Sequence, residues 1–315
     1  MSNLTSSIQL TKKSTYKLNN GLHIPVAGYG AYLLPKGKAK ALTYQALKDG
    51  YRHIDSAVYY RNQEECAEGI AEFLKDYPHV KREDIWFTTK ITNEAHGYEP
   101  TLEQVQDIAD LVKKHIQYVD LILLHSPKTS KALRLGSWKA LQELVENPNN
   151  KIIPVKSIGV SNFGVSHIDE LFAWEGFKIK PVVNQVELHP WLPRLDLREY
   201  SYKHDILLEA YSPLTQGYKL DDPELLSLEK KSGIPKIEIL LKWSYLQGFI
   251  VLAKTEKFER IKQNLDVLPD AKDDDEESAN LGVVSLPLDV LEALDKPESK
   301  EVLTWGGQDP TLYKD

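Results

Sequence analysis

The sequence predicts an α/β chain whose eight strand–helix repeats close into a parallel (β/α)8 barrel, a TIM barrel. Three observations predict it. Short apolar runs alternate with longer helical patterns along the chain, which is the signature of a parallel sheet joined by crossover helices. Most of those runs are apolar on both faces, as strands covered on both sides are. The runs number eight, which suits a closed barrel better than an open sheet.

The elements follow in order. Ahead of the first repeat, TYKLNNGLHIPVA reads as a β-hairpin turning at Asn20-Gly21, placed to plug the bottom of the barrel. Strands are expected at 25–29, 51–54, 85–89, 119–124, 155–160, 182–186, 207–210 and 250–253. Helical periodicity occupies 38–48, 62–75, 101–116, 132–145, 165–174, 196–204 and 235–246, with a last helix at 257–264. The segment 268–287 holds five consecutive acids, Asp273 to Glu277, and reads as a solvated, mobile loop. No linker rich in Gly, Pro or Ser divides the chain, so residues 1–315 are expected to form one domain.

Composition excludes several functions. A net charge of −7 argues against nucleic acid, because phosphate binding needs a basic face. Cys66 is the only cysteine, so no internal disulfide forms and a thiolate zinc cluster is ruled out. The N-terminus has no apolar core of a secretory signal, and no apolar run approaches the ~18 residues of a membrane span. A cytoplasmic monomer is expected.

The familiar motifs fail. GYGAYLLPKGK has Leu33 where a dinucleotide fingerprint needs glycine, and Gly30 to Gly37 is too wide for a P-loop. There is no H-E-x-x-H, no metal-ligand spacing among the nine histidines and no G-x-S-x-G. What remains is a set of polar residues at the C-terminal ends of successive strands, the catalytic rim of such a barrel. Asp55 and Tyr60 follow the second strand, Lys90 ends the third and His125 ends the fourth. Singly, Lys90 reads first as an ordinary surface lysine and His125 as a hydrogen-bonded core histidine. Together they make a chemical group. A free phenol titrates near ~10; an adjacent ammonium favours phenolate and lowers that value, and Asp55 would hold the ammonium. His125 would hydrogen-bond a substrate oxygen. The result is a proton donor aimed at a carbonyl, in need of a hydride source that no side chain supplies, hence of a nicotinamide cofactor.

GYRHIDSAVYYRNQEE, FTTKI, VDLILLHSP, SIGVSNF, NQVELHP, EAYSPL and LAKTEKFERIKQN resemble, in order and over nearly the whole chain, the signature blocks of the aldo-keto reductases. The resemblance implies a barrel that binds NADPH without a Rossmann motif, and a catalytic tetrad of Asp55, Tyr60, Lys90 and His125. It also implies that Tyr59 is not the acid, since the family places the phenol five residues after the Asp. Ser161, Asn162 and Gln185 would bind the nicotinamide carboxamide, and Tyr211 would stack on its ring, with Ser212 and Leu214 along the pyrophosphate. Lys254, Thr255 and Arg260 resemble the family's 2′-phosphate site, where two cations and a hydroxyl suit a phosphomonoester, and Asn264 its adenine contact.

The departures bear on substrate. Ser126 stands where many members carry a bulky aromatic, and Tyr32 where a tryptophan is frequent. With Tyr59 they would line a wider, more polar mouth. The HSP sequence resembles fungal reductases of keto esters and α-keto amides. VLTWGGQDP (302–310) falls in the family's variable lid, where Trp305 would close the pocket; it reads equally well as a bare surface tryptophan in a mobile tail. Three other readings compete. An aldose- or xylose-type aldehyde reductase uses the same tetrad. A non-catalytic NADPH-binding regulatory subunit would not need it. A glycoside hydrolase would employ Asp55, Glu187 or Glu209 as its carboxylates, with no use for Lys90 and His125.

Overall fold

The computed structural model describes residues 4–271 and 282–315. Eight parallel strands form a closed barrel in chain order: β4 (Ala27–Gly30), β5 (His53–Asp55), β6 (Trp86–Ile91), β7 (Val119–Leu124), β8 (Val155–Ser161), β9 (Val183–Glu187), β10 (Leu207–Tyr211) and β11 (Ile250–Ala253). Every expected barrel strand is present, its ends shifted by two residues at most. The shift is mostly toward the C-terminal end, so that Asp55, Lys90, Ser161, Glu187 and Tyr211 lie inside strands rather than just beyond them. β6 and β7 are buried at every position, which accounts for their continuous apolar runs.

The connecting helices are α1 (Ala39–Asp49), α2 (Gln63–Asp76), α3 (Tyr98–Ile116), α4 (Lys131–Glu146), α5 (Val165–Phe172), α6 (Leu195–Lys203), α7 (Pro223–Ser232), α8 (Lys236–Leu246) and α9 (Phe258–Leu265), followed by α10 (Leu288–Leu294). In α3, Val105, Ile108, Ala109, Val112 and Ile116 are buried, three and four residues apart on the face that meets the barrel. α1 stops at Gly50, whose φ of 115° is open only to glycine without strain. Two helices lay unread in the sequence. α7 opens on Asp222, whose carboxylate accepts from the Glu224 and Leu225 amides, with Pro223 in the first turn. α10 lies beyond the eight repeats and packs against α7.

The hairpin forms as expected from β2 (Thr15–Lys17) and β3 (His23–Pro25), paired antiparallel. Its Leu18 and Ile24 join Trp86, Leu121, Leu123, Val183 and Ile250 in one buried cluster, which seals the barrel floor. Ile24 is fully buried, so Ile24→Ala is expected to lower unfolding free energy by about 2–5 kcal/mol, read from urea denaturation midpoints.

One expectation is corrected. The segment 268–287 is not simply a loop: β12 (Val283–Ser285) pairs antiparallel with β1 (Ser7–Gln9), and Val284 and Leu286 are buried. The two strands are short and at opposite ends of the chain, so no local pattern announces the pair. The acids Asp273 to Glu277 lie outside the described residues. Among the described residues no helix is long and apolar enough to cross a membrane.

Candidate active site

The tetrad residues come together because their strands are parallel neighbours, so the residues that end them share one rim. Lys90 is fully buried. Its Nζ donates to Asp55 Oδ1 at 2.7 Å, Asp55 Oδ2 at 2.9 Å, the Ser56 carbonyl at 2.9 Å and Tyr60 Oη at 3.2 Å. The His125 ring lies 5.8 Å from the Tyr60 ring, edge-on. Burial and the Lys90 ammonium hold this imidazole well below the usual histidine range, so it is neutral at pH 7.

The phenol behaves differently from the sequence expectation. Burial first, then the Asp55 carboxylate, push Tyr60 well above the ordinary tyrosine value. The Lys90 ammonium does not outweigh these two, because both Asp55 oxygens compensate its charge. Tyr60 therefore stays protonated, as a proton donor must. Its neighbour is engaged elsewhere: Tyr59 Oη donates to Glu94 and accepts from the Asn93 amide at 3.2 Å.

The expected cofactor residues line the next part of the rim. Ser161 Oγ donates to the Gln185 carbonyl at 2.7 Å. Asn162, with φ of 61°, donates to the His125 carbonyl at 2.9 Å and accepts from Tyr211 Oη at 2.7 Å. Ser212 also sits at positive φ, 51°, and the chain turns there into Leu214. Strained backbone of this kind gathers at functional rims. Lys254 and Thr255 follow β11 directly; Arg260 is exposed in the first turn of α9 and Asn264 is buried in its last. Neither Lys254 nor Arg260 has a carboxylate within ion-pair distance among the described residues.

A family model for the aldo/keto reductases matches residues 28–281. The chain belongs to the aldo/keto reductase family. It is 41% identical over 251 residues to an uncharacterized oxidoreductase of Saccharomyces cerevisiae, covering 79% of this chain and 87% of that one. It is 34% identical over 296 residues to glycerol 2-dehydrogenase (NADP(+)) of Hypocrea jecorina, covering 84% and 90%. The crystal structure of an aldo/keto reductase from Brucella melitensis superposes with a TM-score of 0.77 at 37% identity, covering 91% of this chain and 98% of that one. This aldo/keto reductase is thus an oxidoreductase of carbonyl compounds.

Within the reductase, the failed glycine fingerprint has a packing explanation. Gly28 lies inside β4, where an added Cβ would come within 2.4 Å of Leu252 Cδ2 and 3.1 Å of His53 Nδ1. The glycine makes room for the Leu252 side chain and a buried imidazole.

The expected substrate residues divide. Tyr32 is exposed with its ring 5.1 Å from Tyr60, and Tyr59 stands 5.1 Å from His125. Ser126 differs from expectation: it is fully buried, and its hydroxyl donates to Asn93 Oδ1 at 2.8 Å. The hydroxyl is committed inside the protein, where it also accepts from the Lys128 amide at 3.3 Å. Trp305 is held at the site rather than loose in a tail. Its Nε1 donates to Tyr211 Oη at 3.0 Å, and its ring lies 6.3 Å from His125.

Two acids set in the strand ends were read only as glycosidase alternatives. Glu187 latches the C-terminal strap: its carboxylate accepts from His189 Nε2 at 2.9 Å, Leu303 N at 2.8 Å and Thr304 Oγ1 at 2.5 Å. Arg194 adds a second tie to Asp309 at 2.8 Å. Glu209 accepts from Gln185 Nε2 at 2.8 Å and lies 3.7 Å from a His53 that burial holds near 4. A carboxyl inside an apolar strand was the available signal, since a fully buried acid needs partners. The fold also gathers Glu64, Glu68 and His115 within 4.8 Å on the outer helices, a grouping that sequence spacing did not show; Lys114 Nζ holds Glu64 at 2.7 Å.

Burial, then the nearby Asp55 charge, raise Glu209 to about 8. The folded chain keeps this proton where the unfolded chain has released it, so the contribution to stability is full below the ordinary carboxylate range and is lost as pH rises toward 8. Glu209→Gln removes that loss. Its stability relative to the parent is expected to rise by up to about 1.4 kcal/mol per pH unit across this window, read from urea midpoints between pH 5 and 8.

Proposed function

We propose that this chain reduces ketones and aldehydes to alcohols with NADPH, with keto esters and α-keto amides among its substrates and Tyr60 as the general acid. The observation that carries the reading is the Lys90 ammonium bound at once to Asp55 and to Tyr60 Oη, beside a neutral His125. A carbonyl oxygen seated between Tyr60 Oη and the His125 ring would accept hydrogen bonds from both. Tyr60 gives up its proton as charge develops on that oxygen, and the Lys90 ammonium stabilises the phenolate left behind. Asp55 holds Lys90 in place and keeps its charge compensated in a site with little water.

When bound, NADPH supplies the hydride. The residues present fit it. Lys254 and Arg260 are cations without carboxylate partners among the described residues, placed to take a 2′-phosphate with Thr255, and Asn264 lies one turn beyond Arg260. Ser161, Asn162 and Gln185 converge at the ends of β8 and β9, where they would hold a carboxamide. Tyr211 and Ser212 lie beside them, with Leu214 next along the same turn. The NADP(+) in the name of the Hypocrea jecorina relative supports the same choice. Tyr32, Tyr59 and Trp305 are aromatic walls for the substrate, and the keto ester and α-keto amide class rests on the likeness of the HSP sequence to fungal reductases, since Ser126 by itself does not choose a substrate.

The test follows NADPH consumption with an α-keto amide, α- and β-keto esters, an aromatic aldehyde and an aldose. Keto esters or amides are expected to give the highest kcat/KM. Aldoses in the lead would favour the aldose-type reading and overturn the substrate class. NADPH binding with no reduction of any carbonyl would leave a regulatory nucleotide-binding subunit.

A further inference from the structure

The mechanism above leaves one buried acid unused. Glu209 pairs in register with Gln185 across β9 and β10, so both side chains enter the barrel interior from adjacent positions. Both are shut away from solvent. Gln185 Nε2 donates to Asp55 Oδ2 at 2.8 Å and to Glu209 Oε2 at 2.8 Å. An amide nitrogen has two N–H bonds, and these two contacts use both.

The orientation of the amide is thereby fixed. Reversed, its oxygen would face the Asp55 carboxylate, acceptor against acceptor, in a medium that strengthens the repulsion. The other end of the side chain, Oε1, has no hydrogen bond among the described residues. The charged and titratable groups facing Glu209 are Asp55 and His53 from β5 and Lys90 from β6. Asp55 and Lys90 form an ion pair, and the His53 imidazole is neutral at pH 7. The second oxygen, Glu209 Oε1, is buried without a hydrogen bond, which suits a carboxylic acid and would be costly for a carboxylate.

We infer that Glu209 is a positioning residue: with Asp55 it takes both N–H groups of the Gln185 amide and turns the Gln185 carbonyl oxygen toward the nicotinamide carboxamide, as an acceptor for its N–H. One anchor alone leaves the amide free to swing about that single hydrogen bond and leaves an N–H buried without a partner; two anchors fix its plane. The inference rests on the proposed reading of Gln185 as a nicotinamide contact.

The test compares NADP+ with its 3-acetylpyridine analogue, which carries a methyl group where the carboxamide has nitrogen and so cannot donate to Gln185. Dissociation constants come from tryptophan fluorescence titration of the full chain, with circular dichroism checking the fold. The parent protein is expected to prefer NADP+ by about tenfold, the scale of an unmade hydrogen bond to a buried group. In Glu209→Leu that preference falls to threefold or less. Glu209→Gln, whose amide oxygen accepts as the acid does, restores it. Should Glu209→Leu fail to fold, Glu209→Asp shortens the reach by one methylene and is expected to lose the preference in the same way.

A merely structural role would weaken both nucleotides equally and leave their ratio untouched; that result overturns the inference, as does a parent protein that binds both alike. In either case the proposed reduction by NADPH stands. If the parent protein binds neither nucleotide, the proposed function itself fails.

Discussion

Tyr60→Phe is expected to lower kcat for every carbonyl by on the order of 10²–10⁴-fold, the range of a lost general acid, while the dissociation constant for NADPH stays within about twofold. The reason is local. The ring of Tyr60 packs against Tyr32 and His125, and phenylalanine keeps that packing. What it removes is the one oxygen that Lys90 Nζ meets on the substrate side. Lys90 retains both Asp55 oxygens and the Ser56 carbonyl, so no buried ammonium is stranded and stability should change by less than about 1.5 kcal/mol. Stopped-flow reduction alongside a fluorescence titration separates chemistry from binding. Tyr59→Phe is the control. Its hydroxyl is committed to Glu94 and Asn93, so turnover is expected to fall less than tenfold. A Tyr59→Phe enzyme as inert as Tyr60→Phe would sink the assignment of the acid.

The second large effect concerns the cofactor. The double replacement Lys254→Ala with Arg260→Ala is expected to raise KM for NADPH by 10²-fold or more, since each charge-assisted hydrogen bond to a phosphate contributes roughly 1.5–3 kcal/mol. KM for NADH should move less than about threefold, because that cofactor lacks the 2′-phosphate. The mixed ratio of kcat/KM values therefore shifts toward NADH. Neither cation is tied into an ion pair among the described residues, so their removal leaves no buried carboxylate behind and the fold should hold. Equal loss with both cofactors would mean that these side chains do not meet the phosphate. The effect should also weaken in the parent as ionic strength rises, Arg260 being exposed and Lys254 half-buried.

What was legible in the sequence was whatever depends on neighbours along the chain. Continuous apolar runs placed the barrel strands and period-3.6 patterning their helices, because burial of a strand or of a helix face is a local property. The tetrad was legible for the same reason. In a parallel barrel all strand ends reach one rim, so locating Asp55, Lys90 and His125 at successive strand ends already locates them together. The hairpin at Asn20-Gly21 was dictated by turn chemistry within a few residues. The Asp222-Pro223 start of α7 is an equally local signal.

The tertiary structure alone decided the rest. The β1–β12 pair joins segments separated by almost the whole chain. The Glu187 latch links a strand end to a strap more than a hundred residues later, and it makes Trp305 a wall of the site where the sequence offered a lid or a loose tail equally. Ser126 was legible as a residue type but not as a rotamer, so its hydroxyl was credited to the mouth when it serves Asn93. The protonation of Tyr60 ran against the local argument. An ammonium at 3.2 Å lowers a phenol in water, but here the same ammonium is spent on Asp55 and the phenol is desolvated. Residue identity fixes which charges exist, whereas their titration depends on burial and on competition among partners that only the closed barrel brings within reach.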